Sequence, residues 1–275
     1  MKFFNLVQTT IFALCGAFFL SLSGAQAQQI PNHSDASQHE DVFDLARVPS
    51  IRFLTTSDFP PFNFEDAGGN LIGFNVDLAK ALCAEIKVDC TMQAWPWAQL
   101  ETAMKNGQGD AAIAGLAIDE ANAAKYLFSR TYLKLPARFV GAQADLSEFE
   151  PTTITKEIGV REGSRHMDFL ANYFPQLKLK PFENELAIFE ALQNGELSFG
   201  FVDGMRASFW LNQTECCQFL GGPYFDSEYF GSGLAVAVST DLPDVKRVIN
   251  IGLRRLNEKG KFAELYLKWF PVGFY

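Results

Sequence analysis

Blocks of hydrophobic residues separated by polar stretches in the first half of the chain predict strands that alternate with helices. Residues 51–56 form a short apolar run typical of a strand, and residues 74–86 repeat apolar positions at helical spacing. A strand at 90–93, a helix at 98–105 and a buried strand at 111–115 are predicted next. Such alternation is typical of parallel βαβ units, so this half is expected to form an α/β lobe.

The same succession of elements restarts in the second half of the chain. Residues 158–160 predict a strand, 164–173 a helix and 178–181 a strand, followed by a helix at 185–193 and a strand at 197–202. The sequence therefore predicts two α/β lobes, each with a parallel sheet.

A local repeat supports this duplication. In both 103–107 and 191–195 a helix ends in Asn-Gly, and an apolar strand follows. Ligands of open parallel sheets bind beyond the carboxyl ends of the strands, which places residues 114–117 and Asp203 where two lobes face each other. Asp203 has a second interpretation as a turn or cap residue before Gly204.

Two extended segments, 136–141 and 233–238, are predicted to cross between the lobes. They divide the chain into a first lobe of residues 50–140 plus 236–275 and a second lobe of residues 141–235. A pair of crossing strands is a hinge geometry that opens and closes a cleft through small backbone rotations.

The N-terminus predicts export. Residues 1–27 combine Lys2, an apolar stretch over 11–22 and an Ala-Gln-Ala ending, which together indicate a secretory signal peptide. Residues 28–49 are polar and are predicted to be a flexible lead-in. No later segment is apolar enough to cross a bilayer, so the mature protein is expected in the periplasm and not embedded in a membrane.

Composition narrows the classes of function. The formal net charge is −9, with 23 basic and 32 acidic residues, which argues against a nucleic-acid surface. The three histidines are not spaced as metal ligands, and no cofactor fingerprint or catalytic set is present, so no metal, cofactor or catalytic residue is predicted. The chain is expected to be a monomer. Its 27 phenylalanines suggest aromatic contacts in a pocket as well as in the core.

Export also makes disulfides possible for the cysteines. Cys83 lies late in a predicted helix and Cys90 at the start of the next strand, so a helix-to-strand turn is expected to bring them together as a disulfide. For the adjacent Cys216 and Cys217 three alternatives stand, namely a vicinal disulfide, pairing between chains, or free thiols.

Five segments, taken in order, resemble a known family. They are Asp58-Phe-Pro-Pro-Phe-Asn-Phe64, Gly73-Phe-Asn-Val-Asp-Leu-Ala-Lys-Ala-Leu82, Ala111-Ala-Ile-Ala-Gly-Leu-Ala-Ile118, Phe128-Ser-Arg-Thr-Tyr132 and Gly159-Val-Arg-Glu-Gly-Ser164. Their order and spacing are similar to those of the amino-acid-binding (family 3) periplasmic solute-binding proteins of ABC transporters, over residues 51–270. The resemblance implies the two-lobed periplasmic binding protein fold with a two-strand hinge. It also implies a small-molecule solute and a membrane permease as partners.

The resemblance also implies a disulfide and a set of site residues. The spacing of Cys83 and Cys90 is similar to that of the disulfide in the histidine and lysine-arginine-ornithine binding members.

Phe59 and Trp97 match the aromatic positions that enclose the ligand, and Gly115 lies in the matching strand-end segment. Ser164 matches the hydroxyl residue at a helix start that suits a carboxylate, and Asp203 matches the acceptor of the α-amino group.

The family pattern is broken at the carboxylate-binding arginine. Ala117 replaces the usual hydroxyl residue and Asn122 stands where the arginine is expected. A neutral amide lacks the charge and the fixed fork of a guanidinium, so the sequence predicts weak binding of ordinary α-amino acids. Arg130, Arg161 or Arg165 could supply a replacement charge.

Two further functions are compatible with the altered site. One is a non-transport accessory protein of a periplasmic dehydrogenase, in which the pocket no longer binds a metabolite. The other is an enzyme similar to the cyclohexadienyl dehydratases of this fold, for which Glu162 or Glu228 are candidate general acids.

Overall fold

The computed structural model describes Ile30, residues 43–142 and residues 149–275. The predicted signal peptide, residues 1–27, lies outside the described residues. In chain order the elements are a short 3-10 helix (Leu45–Arg47), β1 (Ser50–Thr55), β2 (Asp58–Phe59), β3 (Asn63–Glu65), β4 (Leu71–Ile72), α1 (Phe74–Ile86), β5 (Asp89–Ala94), α2 (Trp97–Lys105), β6 (Ala111–Ala112), α3 (Glu120–Ala123), β7 (Tyr126–Phe128), β8 (Ala137–Ala142), β9 (Glu157–Arg161), α4 (Arg165–Tyr173), β10 (Lys178–Phe182), α5 (Glu185–Gln193), β11 (Phe199–Asp203), α6 (Gly204–Leu211), β12 (Cys217–Tyr224), α7 (Ser227–Phe230), β13 (Ala237–Ser239), α8 (Pro243–Glu258) and α9 (Lys261–Trp269).

The first sheet has the strand order β5-β1-β6-β13-β7. Strand β1 pairs in parallel with β5 and β6, whereas β13 is antiparallel to β6 and β7. Phe53, Leu54 and Thr55 are consecutive in β1 and all buried, as expected for a strand end that is covered on both faces. Helices α1, α8 and α9 pack together over this lobe.

The second sheet has the strand order β10-β9-β11-β8-β12. Strand β9 is parallel to β10 and β11, and β8 is antiparallel to β11 and β12. Part of the phenylalanine content is explained here, because Phe139, Phe169 and Phe201 pack ring against ring in the core of this lobe. The predicted α/β fold with two lobes is confirmed.

Both five-stranded sheets are mixed, whereas the sequence predicts parallel sheets, and β2, β3 and β4 form a small antiparallel sheet besides. The parallel strands end at the edge where the chain crosses between the lobes, so a segment that arrives from the other lobe starts at that edge and runs in the opposite direction. Accordingly, β8 begins with Ala137 opposite Asp203 at the end of β11. Likewise, β13 begins with Ala237 opposite Ala112 at the end of β6.

The two crossing segments are hydrogen-bonded to each other. The N–H of Tyr132 donates to the carbonyl of Leu234 at 2.9 Å, and the N–H of Leu234 donates to the carbonyl of Leu133 at 2.7 Å. Gly233 has a φ of 97°, and a Cβ at this position would collide with the carbonyl oxygen of Leu133. A glycine is therefore required where the two crossings touch.

Two lobe boundaries need correction. The first lobe was predicted to extend through residue 140, but all of β8 is paired within the second sheet, which moves the crossing to residues before Ala137. The chain end, predicted as part of the first lobe, contacts both lobes. The Ser208 hydroxyl donates to the carbonyl of Val272, and Arg138 Nη1 donates to the carbonyl of Phe274 at 3.1 Å.

The end of the predicted flexible lead-in is ordered on the first lobe. Asp44 caps the short 3-10 helix, and Val48 is buried in the core of the lobe. Arg47 forms an ion pair of 2.8 Å with Asp244 in α8. Residues 43–49 therefore contact the first lobe through apolar side chains and this ion pair.

The four cysteines in the described part of the chain form two pairs. Cys83 in α1 is bonded to Cys90 in β5 with a Cα–Cα distance of 6.2 Å, which confirms the predicted bridge. Cys216 is bonded to Cys217, the vicinal alternative among the three. Within the described ranges, no helix combines the length and the apolar character that a membrane span requires.

Candidate functional site

The carboxyl ends of β1, β5 and β6 enclose a cavity of about 260 Å³ in the first lobe. Parallel sheets bind ligands at this edge, because each strand there turns into a loop that is free to carry a functional side chain. The cavity is lined by Thr56, Asp58, Phe59, Trp97, Ala114 and Gly115.

The two aromatic side chains of the cavity are held differently. Phe59 stacks on the fully buried Phe62 with ring centroids 4.9 Å apart. Trp97 is the first residue of α2, and 55% of its surface is exposed. Gly115 has a φ of 80°, and a Cβ there would lie 2.9 Å from Cε1 of Phe59. Glycine therefore lets the strand end approach the Phe59 ring.

Ala117 and Asn122, where the sequence departs from the family pattern, form hydrogen bonds within their own loop. Asp119 caps α3 by accepting the backbone N–H of Asn122 at 2.8 Å. The side-chain amide of Asn122 donates to the carbonyl of Ala117 at 3.0 Å. Neither Ala117 nor Asn122 belongs to the lining of the first-lobe cavity among the described residues. The amide therefore closes a loop and leaves the arginine position without a cation.

On the second lobe, Ser164 caps the helix that follows β9. Its hydroxyl donates to the carbonyl of Arg161 at 2.6 Å and accepts the N–H of Met167 at 3.2 Å. The side chain of the next residue, Arg165, donates from Nη1 to the carbonyl of Glu228 at 3.1 Å. Because the side chains of Ser164 and Arg165 are already hydrogen-bonded, the groups that suit an anionic or polar ligand are the free N–H groups in the first turn of α4.

Asp203 is the cap of α6 and ends β11. Its Oδ1 accepts the N–H of Arg206 at 2.9 Å, and its own N–H donates to Oε1 of Glu185 at 3.2 Å. Burial raises the pKa of Asp203 to about 6, and the nearby charge of Glu185 adds to the rise, while the capping hydrogen bond opposes it. Both sequence interpretations of Asp203 are compatible, because a cap residue keeps its second oxygen for another donor.

His166 follows Arg165 in α4. Its ring lies between those of Phe201 and Phe230, at centroid distances of 5.9 and 5.0 Å. Burial, together with the positive charge of Arg161, lowers the pKa of His166 to about 4. Its imidazole is therefore neutral at pH 7 and adds no cation to this lobe.

The candidate replacement arginines do not line the first-lobe cavity. Arg130 borders a separate small cavity against α8, and its backbone N–H donates to Oδ1 of Asn250. Arg161 and Arg165 belong to the second lobe, at the end of β9 and the start of α4. The structure therefore brings Phe59, Trp97 and Gly115 together and places Ser164, Arg165 and Asp203 on the facing lobe.

Three residues of the candidate site were not identified from the sequence. Thr56 and Asp58 line the cavity. The sequence feature that could have identified them is their position, because Thr56 directly follows β1 and Asp58 precedes Phe59 in β2. Glu185 supports Asp203 and forms a 3.3 Å ion pair with Arg206. The sequence feature that could have identified Glu185 is its position in the first turn of the helix that follows β10.

A larger cavity of about 580 Å³ lies at the opposite end of the first sheet. Four of its charged residues form ion pairs with each other, Arg52 with Asp110 at 2.6 Å and Lys125 with Glu101 at 2.8 Å. Because strand carboxyl ends do not meet there, we place the candidate site in the smaller cavity. Across the described ranges, no three His, Cys, Asp or Glu side chains are grouped as metal ligands.

The chain matches known proteins over most of its length. Residues 51–272 match the family described as bacterial extracellular solute-binding proteins, family 3. The arginine-binding periplasmic protein of Mannheimia haemolytica is 30% identical over 211 residues, which cover 77% of this chain and 87% of that protein.

Two solved structures share the fold. The L-cystine solute receptor of Neisseria gonorrhoeae, in its unliganded open conformation, superposes with a TM-score of 0.74 at 14% identity, covering 83% of this chain and 97% of the receptor. An ancestral cyclohexadienyl dehydratase superposes with a TM-score of 0.68 at 19% identity, covering 85% and 99% of the two chains. One fold therefore carries both solute receptors and an enzyme.

Proposed function

Because the chain belongs to the bacterial extracellular solute-binding proteins, family 3, we propose that it is the solute receptor of an ABC transporter. It binds a small polar solute that carries an amino group, an amino acid or a related amine. The solute lies between the two lobes, and the closed protein delivers it to a membrane permease.

The observation that carries this proposal is the placement of complementary groups at the facing edges of two sheets. The first lobe offers the aromatic faces of Phe59 and Trp97, and the second offers the carboxylate of Asp203 and the start of α4. Aromatic faces bury the apolar part of a ligand, and a carboxylate accepts hydrogen bonds from an ammonium group. A solute that touches both lobes favours their closed arrangement by its differential affinity for it.

The hinge supports the same proposal. Two crossing segments, bonded to each other through Tyr132, Leu133 and Leu234, connect the lobes next to the cleft. Small rotations in two adjacent backbone segments are sufficient to move one rigid lobe against the other.

The proposed location is the periplasm, where the exported chain acts after cleavage near residue 28 as a monomer. Its relative from Mannheimia haemolytica is named as a periplasmic protein. N-terminal sequencing of the secreted chain tests the cleavage position, and sedimentation equilibrium tests the monomer.

We favour binding over catalysis for this chain. A carboxyl group with a raised pKa, such as that of Asp203, also suits a general acid. Its hydrogen bonds to the N–H of Arg206 and its contact with Glu185 give it a structural role without catalysis. Recovery of the solute unchanged after long incubation with the protein supports a receptor, and a new product contradicts it.

The test of the proposed function is a screen of the mature chain against amino acids and small amines by thermal shift. A ligand at 100 times its Kd should stabilise the folded state by about 2.7 kcal/mol. Small-angle scattering with the best ligand should then show a smaller radius of gyration. If no solute stabilises the protein and its radius does not change, the receptor proposal is wrong and the accessory-protein alternative is favoured.

A further inference from the structure

The charge of the first-lobe cavity is set by one residue. Of its lining residues only Asp58 is ionisable, the others being Thr56, Phe59, Trp97, Ala114 and Gly115. Asp58 is exposed, and among the described residues no group donates a hydrogen bond to its side chain or pairs with it. Its backbone is held by the pairing of β2 with β3, opposite Phe64. A carboxylate without a partner, on a backbone that is held by strand pairing, therefore lines the ligand space.

The neighbouring loop offers no compensating cation. The amide of Asn122 is bonded to the carbonyl of Ala117, and Asp119 adds another carboxylate on the same short turn. A ligand carboxylate placed at this edge would meet Asp58 as a like charge and no cation among the lining residues. The first-lobe half of the site therefore disfavours an anionic group and favours a cationic one.

The facing lobe adds a second carboxylate, that of Asp203. Glu185 behind it forms an ion pair with Arg206 at 3.3 Å, whereas Asp203 uses Oδ1 for the cap of α6 and keeps its other oxygen for a ligand. The two carboxylates belong to different lobes, and the aromatic faces of Phe59 and Trp97 lie beside Asp58. A matching solute carries a cationic group at each end and an apolar chain between them.

We infer that Asp58 is a specificity-determining residue and that the site selects a dicationic amine without an α-carboxylate over the corresponding basic amino acid. This inference rests on the proposed function and narrows its solute to a chemical class. Asp58 binds one cationic end, Asp203 binds the other, and the aromatic side chains contact the chain between them.

The test compares pairs of compounds that differ only in the α-carboxylate, measured by calorimetry on the mature chain. The pairs are arginine with agmatine, lysine with cadaverine and ornithine with putrescine. We expect the decarboxylated member of at least one pair to bind about tenfold or more tightly than its amino acid, because it avoids a carboxylate that has no cation to meet.

Asp58→Asn should weaken binding of the diamine about tenfold or more and narrow the difference within each pair. Glu65→Gln is the matched control, since it removes one carboxylate from β3, the strand that pairs with β2, outside the cavity and should leave the affinity unchanged. Circular dichroism and melting temperature establish that both variants are folded.

Tighter binding of the amino acid in every pair, or equal affinities, would overturn the inference while the receptor proposal stands. In that case loss of amino-acid binding in Arg165→Gln would identify the group that replaces the missing arginine. Failure of every compound here and of the whole solute screen contradicts the receptor proposal itself.

Discussion

Both lobes place their candidate site residues after the carboxyl ends of parallel strands, but the two candidate half-sites differ in how far their side chains are already bonded. In the second lobe Ser164 and Asp203 each cap a helix and hold fixed hydrogen bonds. In the first lobe Trp97 is 55% exposed, and Asp58 has no bonding partner among the described residues. The second lobe is thus organised before a ligand arrives, and the first lobe keeps its contact surface open.

This difference assigns separate energetic roles to the lobes. Polar groups held by helix caps lose little conformational entropy on binding, so they set the orientation of a ligand. Exposed aromatic faces gain stability when closure removes them from water, so they supply the driving force of closure. Binding in the second lobe should therefore depend on charge, and binding in the first lobe should depend on apolar area as well.

The largest effect is expected when the charge of Asp203 is removed while its cap is kept. Asp203→Asn retains an oxygen for the N–H of Arg206 but loses the carboxylate, and should weaken amine binding about a hundredfold. The folded pKa is raised to about 6, above that of the unfolded chain, so ionisation costs stability at neutral pH. The variant should therefore be more stable than the wild type by about 1–3 kcal/mol at pH 7.5, and the gain should disappear below pH 4.

Asp203→Ala separates the cap from the charge. It should lose the same affinity as Asp203→Asn but gain less stability, by about 1 kcal/mol, since the N–H of Arg206 loses its acceptor. Urea unfolding at the two pH values gives the stabilities, and calorimetry gives the affinities. Retention of tight amine binding in both variants would remove Asp203 from the site.

The fold was predictable from the sequence where the pattern of apolar residues is strong. The predicted helix at 74–86 and the predicted strand at 197–202 correspond to α1 and β11, because the burial of one face or of both faces determines the spacing of apolar residues. The direction of β8 and β13 was not predictable in this way. It depends on where the chain crosses between lobes, which is a property of the tertiary structure.

The site was predictable only in part. Phe59 and Trp97 were identified through a family pattern, and the structure places both at one cavity. Asp58 and Glu185 were missed because an acidic residue at a strand end or helix start has the same local signature as a solvated one. Their surroundings, an aromatic cavity for Asp58 and the backbone of Asp203 for Glu185, arise from residues distant in sequence.

A smaller effect is expected from the aromatic residues of the first lobe, which differ in their support. Trp97→Ala and Phe59→Ala should each weaken ligand binding about tenfold, since each removes an apolar face from the cavity. Only Phe59→Ala should also lower the unfolding free energy, by about 2 kcal/mol, because Phe59 packs on the buried Phe62. Leu267→Ala, which truncates an exposed apolar residue on α9, is the control and should change neither quantity. Equal losses of stability for Phe59→Ala and Trp97→Ala would show that the two side chains are not held differently.

The smallest effect is a pH dependence that belongs to the second lobe alone. The carboxyl of Asp203, with its pKa raised to about 6 by burial, must be ionised to accept an ammonium group, so the affinity for an amine should fall as the pH is lowered through 6. Between pH 7 and pH 5.5 the ionised fraction drops about fourfold, and the affinity should drop by the same factor.

His166 does not contribute to this change, because its pKa is lowered to about 4 and its imidazole stays neutral over this range. The charges beside Asp203 are those of Glu185 and Arg206, which pair with each other. Calorimetry at constant ionic strength in Asp203→Asn should show no fall in affinity between the two pH values, whereas Trp97→Ala should keep the full fourfold fall. A fall that persists in Asp203→Asn would assign the titration to another group and would place the pH-sensitive half of the site outside the second lobe.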